Sequence, residues 1–193
     1  MKVLALYGSP RKDGNTSLLL RQLVKGVKER GADTTEVELC DLKILPCIAD
    51  YSCAETGECF IEDDMQDIYQ HFIEHDCIVV AAPIFFYNVN AQTKTLIDRS
   101  QALWARKYML KQPLSASGEK KKGIFISVGA TKGSKLFDGT LLTMKYFFDA
   151  LDAKLYKSLL FKDVDAAGDI QKHPTALQEA YELGQELAVE QSK

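Results

Sequence analysis

Residues 8–17 join an apolar strand to an amphipathic helix through a loop of distinctive composition. The preceding segment, residues 3–7, is apolar and too short for a helix, and apolar side chains recur at helical spacing over residues 18–27. The loop reads Gly-Ser-Pro-Arg-Lys-Asp-Gly-Asn-Thr-Ser, so its glycines permit turns and small polar side chains stand at the helix start, where backbone N–H groups are unpaired. With Arg11 and Lys12 beside the positive end of the helix dipole, this loop favours a phosphate group.

Two better-known phosphate loops do not match. No Gly-Lys-Ser/Thr follows the second glycine, as a Walker loop requires, and the G-x-G-x-x-G of a dinucleotide fingerprint is missing. These differences argue against ATP-binding and NAD-binding folds. From the loop alone, a simpler alternative stays open, in which Thr16 or Ser17 only caps a helix.

The loop resembles that of a known family. Gly-Ser-Pro-Arg-x-x-Gly-Asn-Thr, directly after the first strand, is similar to the FMN phosphate loop of the flavodoxin-like NADPH-dependent FMN reductases and of their relatives, the iron-sulfur flavoproteins. The resemblance covers nearly the whole chain. It implies that the phosphate of FMN is bound by Ser9, Arg11, Asn15, Thr16 and Ser17.

Length and composition favour one domain over residues 1–193. The net charge is −3, with acidic and basic residues nearly balanced, so there is no electrostatic basis for binding nucleic acid or an anionic membrane surface. Apolar runs are shorter than a membrane span and no signal peptide precedes the first strand, so we expect a cytoplasmic protein. In that compartment the five cysteines are expected to be thiols or ligands, not disulfides.

Strand and helix patterns alternate five times along the chain. The predicted strands are Val3–Tyr7, Thr34–Leu39, Asp76–Ala82, Gly123–Val128 and Lys154–Phe161. Helical spacing is found over Leu18–Val27, Ile68–Ile73, Leu96–Leu103, Leu136–Leu151 and Leu177–Leu187. This alternation predicts an α/β, flavodoxin-like, doubly wound five-stranded parallel sheet of order 2-1-3-4-5, with a cysteine-bearing insertion after strand 2. Residues 107–122 are expected to form an exposed connection.

A second candidate binding loop, residues 83–90, follows the third predicted strand and reads Pro-Ile-Phe-Phe-Tyr-Asn-Val-Asn. In a 2-1-3-4-5 sheet the strand order reverses between strands one and three, so this loop faces residues 8–17 across the ligand crevice, with residues 129–133 beside them. FMN needs a phosphate cradle at one end of such a crevice and flat apolar contact at the other. Taken alone, three consecutive aromatic residues also suit ordinary core or interface positions.

The family resemblance extends to these loops, since Pro-Ile-x-x-x-Asn is similar to the family's isoalloxazine-binding loop and residues 128–133 to its third loop. It implies that the flavin is bound by Pro83, Ile84, Phe85, Phe86, Asn88, Gly129 and Thr131. It also implies a reaction, in which hydride passes from C4 of NAD(P)H to N5 of FMN and then to flavin, quinone or another small acceptor. Because this chemistry needs no amino-acid nucleophile, no catalytic acid or base is predicted.

Three cysteines, Cys47, Cys53 and Cys59, lie in an aperiodic connection over residues 41–60. Their surroundings resemble the insertion in which iron-sulfur flavoproteins carry a C-x2-C-x2-C-x5-C motif. The chain departs from that motif at one position, where it has Asp50. A [4Fe–4S] cluster normally takes four thiolates, so Asp50 argues against the cluster that the resemblance implies, unless an oxygen serves as a weaker and labile fourth ligand. Cysteines that pack as small hydrophobic residues are the alternative.

Zinc is a further option for these cysteines. Three thiolates would be completed by Asp50, or by His71 and His75 at helical i,i+4 spacing. The simpler interpretation places both histidines on an exposed helix face. The other two cysteines, Cys40 and Cys77, lie next to or within predicted strands and are assigned to the core.

Three functions are therefore considered. The first is an FMN-dependent NAD(P)H oxidoreductase, which the resemblance implies is a homodimer or homotetramer. The second is an electron-transfer protein, flavodoxin-like or iron-sulfur, that serves protein partners, although the balanced composition does not suggest the charged docking face of such a carrier. The third is a flavin-free binding module on the same fold, because fold does not imply function.

Overall fold

The computed structural model describes residues 1–115 and 119–189 and contains a five-stranded parallel sheet. Its strands are β1 (Lys2–Tyr7), β2 (Asp33–Glu38), β3 (Cys77–Ala81), β6 (Lys121–Gly129) and β7 (Ala153–Lys162). They are arranged in the order β2-β1-β3-β6-β7, with every neighbouring pair parallel. This is the order 2-1-3-4-5 of the sequence prediction, so the flavodoxin-like fold is confirmed.

Helices cover both faces of the sheet, as a doubly wound fold requires. They are α1 (Asn15–Glu29), α2 (Cys53–Thr56), α3 (Met65–Glu74), α4 (Ala91–Arg99), α5 (Gln101–Tyr108), α6 (Asp138–Ala150) and α7 (Ala176–Val189). Helices α1 and α7 pack on one face, and α3, α4, α5 and α6 on the other. Among the described residues, no helix is both long and apolar enough to cross a membrane.

The position of α1 is set by its close crossing with α7. Both helices bury leucines on the sheet, including Leu23 and Leu183. At the crossing, Gly26 and Gly184 let the backbones touch, because a Cβ on Gly184 would overlap the carbonyl oxygen of Leu23. A Cβ on Gly26 would overlap the carbonyl oxygen of Tyr181 in the same way. The start of α1, and the loop before it, are therefore fixed by contacts far from the loop itself.

Two predicted elements differ from the structure because short-range hydrogen bonds divide them. Residues 83–90, predicted as a loop, contain an antiparallel hairpin of β4 (Ile84–Phe85) and β5 (Asn88–Val89). The single helix predicted through Leu96 is divided at Ser100, whose hydroxyl donates to the Leu96 carbonyl at 2.9 Å. A serine hydroxyl that bonds back to the preceding turn competes with the helical backbone pattern and bends the chain.

The connection predicted over residues 107–122 is shorter than expected. Helix α5 continues to Tyr108 and β6 begins at Lys121. Residues 116–118 of this connection lie outside the described part of the chain.

The insertion after β2, residues 42–63, is fastened to α4 by a buried ion pair. Arg99, the last residue of α4, donates from both terminal nitrogens to the Asp63 carboxylate, at 2.6 and 3.1 Å. It also donates to the Leu45 carbonyl at 2.8 Å. The same carboxylate accepts backbone N–H groups of Leu45 and Met65 at 2.8 and 3.0 Å. Side-chain bonds therefore replace regular secondary structure in holding this segment.

Candidate functional site

A cavity of about 160 Å³ opens at the carboxyl edge of the sheet, between the loops that follow β1, β3 and β6. Eight of the predicted residues line it: Ser9, Arg11, Asn15, Thr16, Pro83, Ile84, Phe85 and Gly129. Four others, Ser17, Phe86, Asn88 and Thr131, are not among its lining residues. The strand order thus brings together three loops that are distant in sequence, at the position where this fold class binds ligands. We call this space the edge cavity.

The loop before α1 is held open by its own side chains. The Ser9 hydroxyl accepts the Arg11 backbone N–H at 3.0 Å, and the Ser17 hydroxyl donates to the Arg11 carbonyl at 3.3 Å. The Ser17 side chain therefore stabilises the loop by bonding to its backbone, and it does not line the edge cavity. In the described structure no side-chain hydrogen bond caps the start of α1, and its first turn has no acidic residue. Its first N–H groups and positive dipole end are therefore available for an anion.

Asn15 connects this loop to another that the sequence analysis missed. Its side chain donates to the Ala166 carbonyl at 2.9 Å and accepts the Ile170 backbone N–H at 3.3 Å. Three residues after β7 consequently reach the edge cavity: Val164, Asp165 and Ala167. Nothing in their composition indicates a binding role. The signal was topological, because the loop after β7 leaves the same edge of the sheet as the loops after β1 and β3.

The β4–β5 hairpin forms the outer wall of the edge cavity. Its two turn residues, Phe86 and Tyr87, both have positive φ, 49° and 61°, which is the backbone geometry of a two-residue type I′ turn. Phe86 is 100% exposed, and the Tyr87 carbonyl accepts the Thr140 hydroxyl of α6 at 3.1 Å. The Asn88 side-chain oxygen accepts the adjacent Val89 backbone N–H at 2.8 Å. Asn88 therefore shapes the hairpin, and it is not among the residues that line the edge cavity.

Asn90, which the sequence analysis did not single out, joins the two main loops. Its side-chain amide donates to the Gly8 carbonyl at 2.6 Å, and its oxygen accepts the Thr93 hydroxyl at 2.9 Å. The Gly8 backbone N–H in turn donates to the Ala81 carbonyl at the end of β3, at 2.8 Å. The first residues of α4 are therefore fixed against the edge cavity.

The other end of α4 borders a second cavity, of about 480 Å³, which we call the cysteine cavity. It is lined by Cys47, Ile48, Ala49, Asp50, Tyr51, Cys53, Cys59, Ile61, Asp98, Arg99, Gln101 and Ala102. The three cysteines are free thiols, with Cys47 exposed and the other two half-buried. Burial raises the pKa of the Cys53 thiol, and the nearby Cys59, Asp50 and Cys47 raise it further. Cys59, Asp50 and Cys47 therefore lie close enough to Cys53 to disfavour its thiolate.

Within residues 1–115 and 119–189, no three His, Cys, Asp or Glu side chains are arranged to hold a single metal ion. The zinc option is not supported for His71 and His75, because neither lines the cysteine cavity. His75 is also buried, contrary to the expected exposed face, and its ring nitrogens contact the His71 carbonyl and the Thr35 hydroxyl, each at 2.8 Å. Burial lowers the pKa of His75, which favours the neutral ring.

Arg99 gives the cysteine cavity a fixed positive charge. Its side chain is fully buried, and its Nε has no hydrogen-bond partner among the described residues. A buried donor without a partner costs about 1–3 kcal/mol, so an acceptor in the cysteine cavity would stabilise it. Burial opposes ionisation of Asp63, but its hydrogen bonds from Arg99 and from the Leu45 and Met65 backbones hold the pKa of its carboxyl below the usual range. The Arg99–Asp63 pair is therefore ionised at neutral pH.

Comparison with known proteins gives the family. The family model for NADPH-dependent FMN reductases matches residues 1–152. The chain belongs to this family. The resemblance of its loops to this family is thus confirmed.

Several relatives that are more than 30% identical to this chain over the matched residues are named iron-sulfur flavoproteins. One, from Methanocaldococcus jannaschii, is 42% identical over 103 residues, which cover 53% of this chain and 53% of the relative. Another, from Methanosarcina thermophila, is 36% identical over 132 residues, 68% of this chain and 65% of the relative. The match therefore spans only about half to two thirds of these relatives' length. A Bacillus subtilis protein named as an NAD(P)H-dependent FMN-containing oxidoreductase is 25% identical over 95% of this chain and 96% of its own.

Solved structures support the fold. A flavone reductase superposes with a TM-score of 0.72 at 20% identity, covering 97% of this chain and 62% of that protein. The NAD(P)H:quinone oxidoreductase from Methanothermobacter marburgensis gives a TM-score of 0.71 at 16% identity, covering 97% and 98%. At this identity the likeness shows the flavodoxin-like fold alone.

Proposed function

We propose that the protein is an FMN-dependent NAD(P)H oxidoreductase that passes electrons to flavin, quinone or another small acceptor. The observation that carries this proposal is the edge cavity, which combines an uncapped helix start with an apolar wall at the switch point of the sheet. When bound, FMN supplies the hydride chemistry, and the chain supplies binding and orientation.

The edge cavity has a polar and an apolar part, which correspond to the phosphate and the ring of FMN. Its inner part is polar, with Ser9 and Thr16 buried beside the first N–H groups of α1 and Arg11 supplying a positive charge. We assign the phosphate to this part. Its outer wall is Ile84 and Phe85 of the hairpin, and half of the Phe85 side chain is exposed. The flat ring would lie at this open mouth, where a nicotinamide or an acceptor can approach it.

Neighbouring basic residues offer a matched test of the phosphate assignment. Arg11 lines the edge cavity, whereas Lys12 is paired with Asp41 at 2.6 Å on the exposed surface and does not line it. Both substitutions to alanine remove one positive charge. We expect Arg11→Ala to weaken FMN binding about tenfold, as for loss of one charge-assisted hydrogen bond of about 1.5 kcal/mol, and Lys12→Ala to leave it within twofold.

The measurement is a fluorescence titration of the apoprotein with FMN, followed by NADH and NADPH oxidation with riboflavin or a quinone as acceptor. Equal weakening by Arg11→Ala and Lys12→Ala would contradict a phosphate site in the edge cavity. Failure of the unmodified chain to bind FMN would refute the proposed function.

The cysteine cavity favours a second candidate, an iron-sulfur flavoprotein that exchanges electrons with other proteins. The relatives with that name give the hypothesis, and the grouping of three thiols with Asp50 around one space supports it. A single ion needs its ligands around one point, whereas the ligands of a [4Fe–4S] core stand further apart because each binds a different iron. The three thiols and the carboxylate around this cavity supply donor types that a cluster can take, although no three of the described side chains suit one ion.

We also propose that the protein forms a homodimer or homotetramer and acts in the cytoplasm without nucleic-acid or membrane partners. The exposed aromatic residues at the hairpin, Phe85, Phe86 and Tyr87, support self-association next to the edge cavity. Light scattering after size-exclusion chromatography tests the assembly, and a monomer at micromolar concentration would contradict it.

A further inference from the structure

The cysteine cavity differs from a four-thiolate site by one residue, and the replacement is itself a metal ligand. Asp50 lines the same space as Cys47, Cys53 and Cys59. Within the described residues, its carboxylate accepts one long hydrogen bond, 3.4 Å, from the backbone N–H of Ser52. A carboxylate can therefore turn into the cavity without losing a strong partner. Carboxylate oxygens bind iron, although less firmly than thiolates do.

The backbone around Asp50 is constrained so that this side chain stays near the cysteines. The residues on either side, Ala49 and Tyr51, both have positive φ, 55° and 66°. Non-glycine residues adopt this conformation only when the surrounding structure enforces it, and such positions are concentrated at ligand sites. Two such residues flank Asp50, in a segment that the Arg99–Asp63 pair holds in place. This indicates that the conformation of the loop is fixed by its surroundings.

Arg99 supplies an independent observation that points to a ligand. It is 1% exposed, it lines the cysteine cavity, and its Nε has no partner within the described residues. Hydrogen bonds to the sulfurs are a usual part of the protein surroundings of iron-sulfur clusters. A cluster sulfide in the cavity would accept the Nε–H that the chain itself leaves unpaired.

We propose that Cys47, Cys53 and Cys59 hold three irons of a [4Fe–4S] cluster, and that Asp50 holds the fourth through oxygen and so makes that one iron removable. The proposal rests on the iron-sulfur candidate above and concerns what this chain does differently. The cubane would keep its three thiolate-bound irons when the fourth is lost.

Removal of the fourth iron has a defined balance. Ferricyanide accepts one electron from a [4Fe–4S]²⁺ core, which then releases one Fe²⁺ as its bond to the Asp50 oxygen breaks, and [3Fe–4S]⁺ remains. A fourth thiolate would resist this loss. The substitution Asp50→Cys therefore tests the role of the oxygen directly.

The experiment is anaerobic reconstitution of the full chain with Fe²⁺ and sulfide, followed by counts of iron and acid-labile sulfide and by electron paramagnetic resonance before and after ferricyanide. We expect about four iron and four sulfide per chain, falling to about three iron on oxidation, with the signal of [3Fe–4S]⁺. Asp50→Cys should keep about four iron under the same treatment, and Asp50→Ala should hold only about three from the start. The matched thiol variant, Cys53→Ser, should lose most iron and sulfide.

Several results would overturn the proposal. These are a reconstituted protein without sulfide, an Asp50→Ala variant with the iron content and oxidation response of the unmodified chain, or a cluster that forms only in Asp50→Cys. Circular dichroism of each variant identifies misfolding, and the unmodified chain decides the question if a variant does not fold. The FMN titration is read separately: FMN binding without iron leaves the reductase proposal intact, while iron without FMN refutes the reductase and keeps the cluster.

Discussion

The two cavities lie at opposite ends of α4, yet different parts of the chain build them. The edge cavity is made by loops that leave regular strands, and backbone bonds such as that from Gly8 to Ala81 fix its floor. The cysteine cavity is made by an insertion whose regular structure is one short helix, α2, and its position depends on the Arg99–Asp63 pair. The fold thus determines the first cavity, while a few side chains determine the second.

The largest effect is expected from breaking the buried pair. Arg99→Met removes the cation and leaves the Asp63 carboxylate buried without its partner, which typically costs about 3–5 kcal/mol. Urea unfolding should show this loss, with the insertion becoming sensitive to protease before the sheet does. The exposed pair on the same helix is the control, since Lys94→Ala removes a contact to Asp98 at 2.7 Å worth about 0.3–0.5 kcal/mol.

The FMN affinity of the Arg99→Met variant tests whether the two cavities are independent of each other. If they are independent, folded Arg99→Met keeps its FMN affinity within a few fold while the thiols of the insertion react faster with a thiol reagent. A loss of FMN affinity as large as the loss of stability would show that the insertion also supports the edge cavity.

A smaller effect, on the opposite cavity, is expected from the crossing of α1 and α7. Gly184→Ala places a Cβ against the Leu23 carbonyl, and such overpacking costs about 1–3 kcal/mol. Because α1 carries the loop that lines the edge cavity, FMN affinity should fall with stability, whereas thiol reactivity in the cysteine cavity should not change. Glu182→Ala, at an exposed position of α7, is the control. Faster thiol reaction in Gly184→Ala would contradict this separation.

The smallest effect is a pH dependence from His75 at the end of α3. Burial lowers the pKa of its ring from 6.5, and the facing groups are the His71 carbonyl and the Thr35 hydroxyl, with Glu74 and Lys2 nearby. Because the pKa of His75 is lower in the folded protein, the unfolded chain binds this proton at a higher pH than the folded chain does. The contribution of His75 to the free energy of unfolding is therefore complete above about pH 6.5 and is lost as the pH falls.

Thermal unfolding between pH 8 and pH 5 measures this effect, over a window set by the ordinary pKa of histidine, about 6.5. His75→Gln keeps an amide near Thr35. Its melting temperature should therefore fall less between pH 8 and pH 5 than that of the unmodified protein. An unchanged slope in His75→Gln would assign the pH dependence to other groups.

The sequence predicted the edge cavity better than the cysteine cavity for a physical reason. Strand and helix periodicity establish the strand order, and the order alone brings residues 8–17 and 83–90 to one edge. The loop after β7 was missed because Ala166 contributes a backbone carbonyl, which no residue type signals. The hydrogen bond from the Val89 backbone N–H to the Asn88 side-chain oxygen depends on the hairpin turn, which the sequence pattern did not indicate.

In the insertion, the sequence identified the cysteines and Asp50 but not what holds them. Arg99 lies in a stretch with helical spacing, where a charged residue is ordinarily exposed, yet here it is fully buried. Its partner, Asp63, is 36 residues away, and no periodicity connects the two. Periodicity also failed to predict the burial of His75. It places this residue at a helix end, where exposure is expected, but tertiary packing buries it.

Helix α4 sets a fixed spacing between the two cavities. It has nine residues, so at about 1.5 Å per residue it is about 14 Å long, and each end is held, by Asn90 to Gly8 and by Arg99 to Asp63. Movement of the exposed hairpin does not alter this length. Any electron exchanged between a flavin at one end and a metal centre at the other would therefore cross a constant gap, and its rate would depend on driving force and on the intervening side chains, not on the opening and closing of the protein.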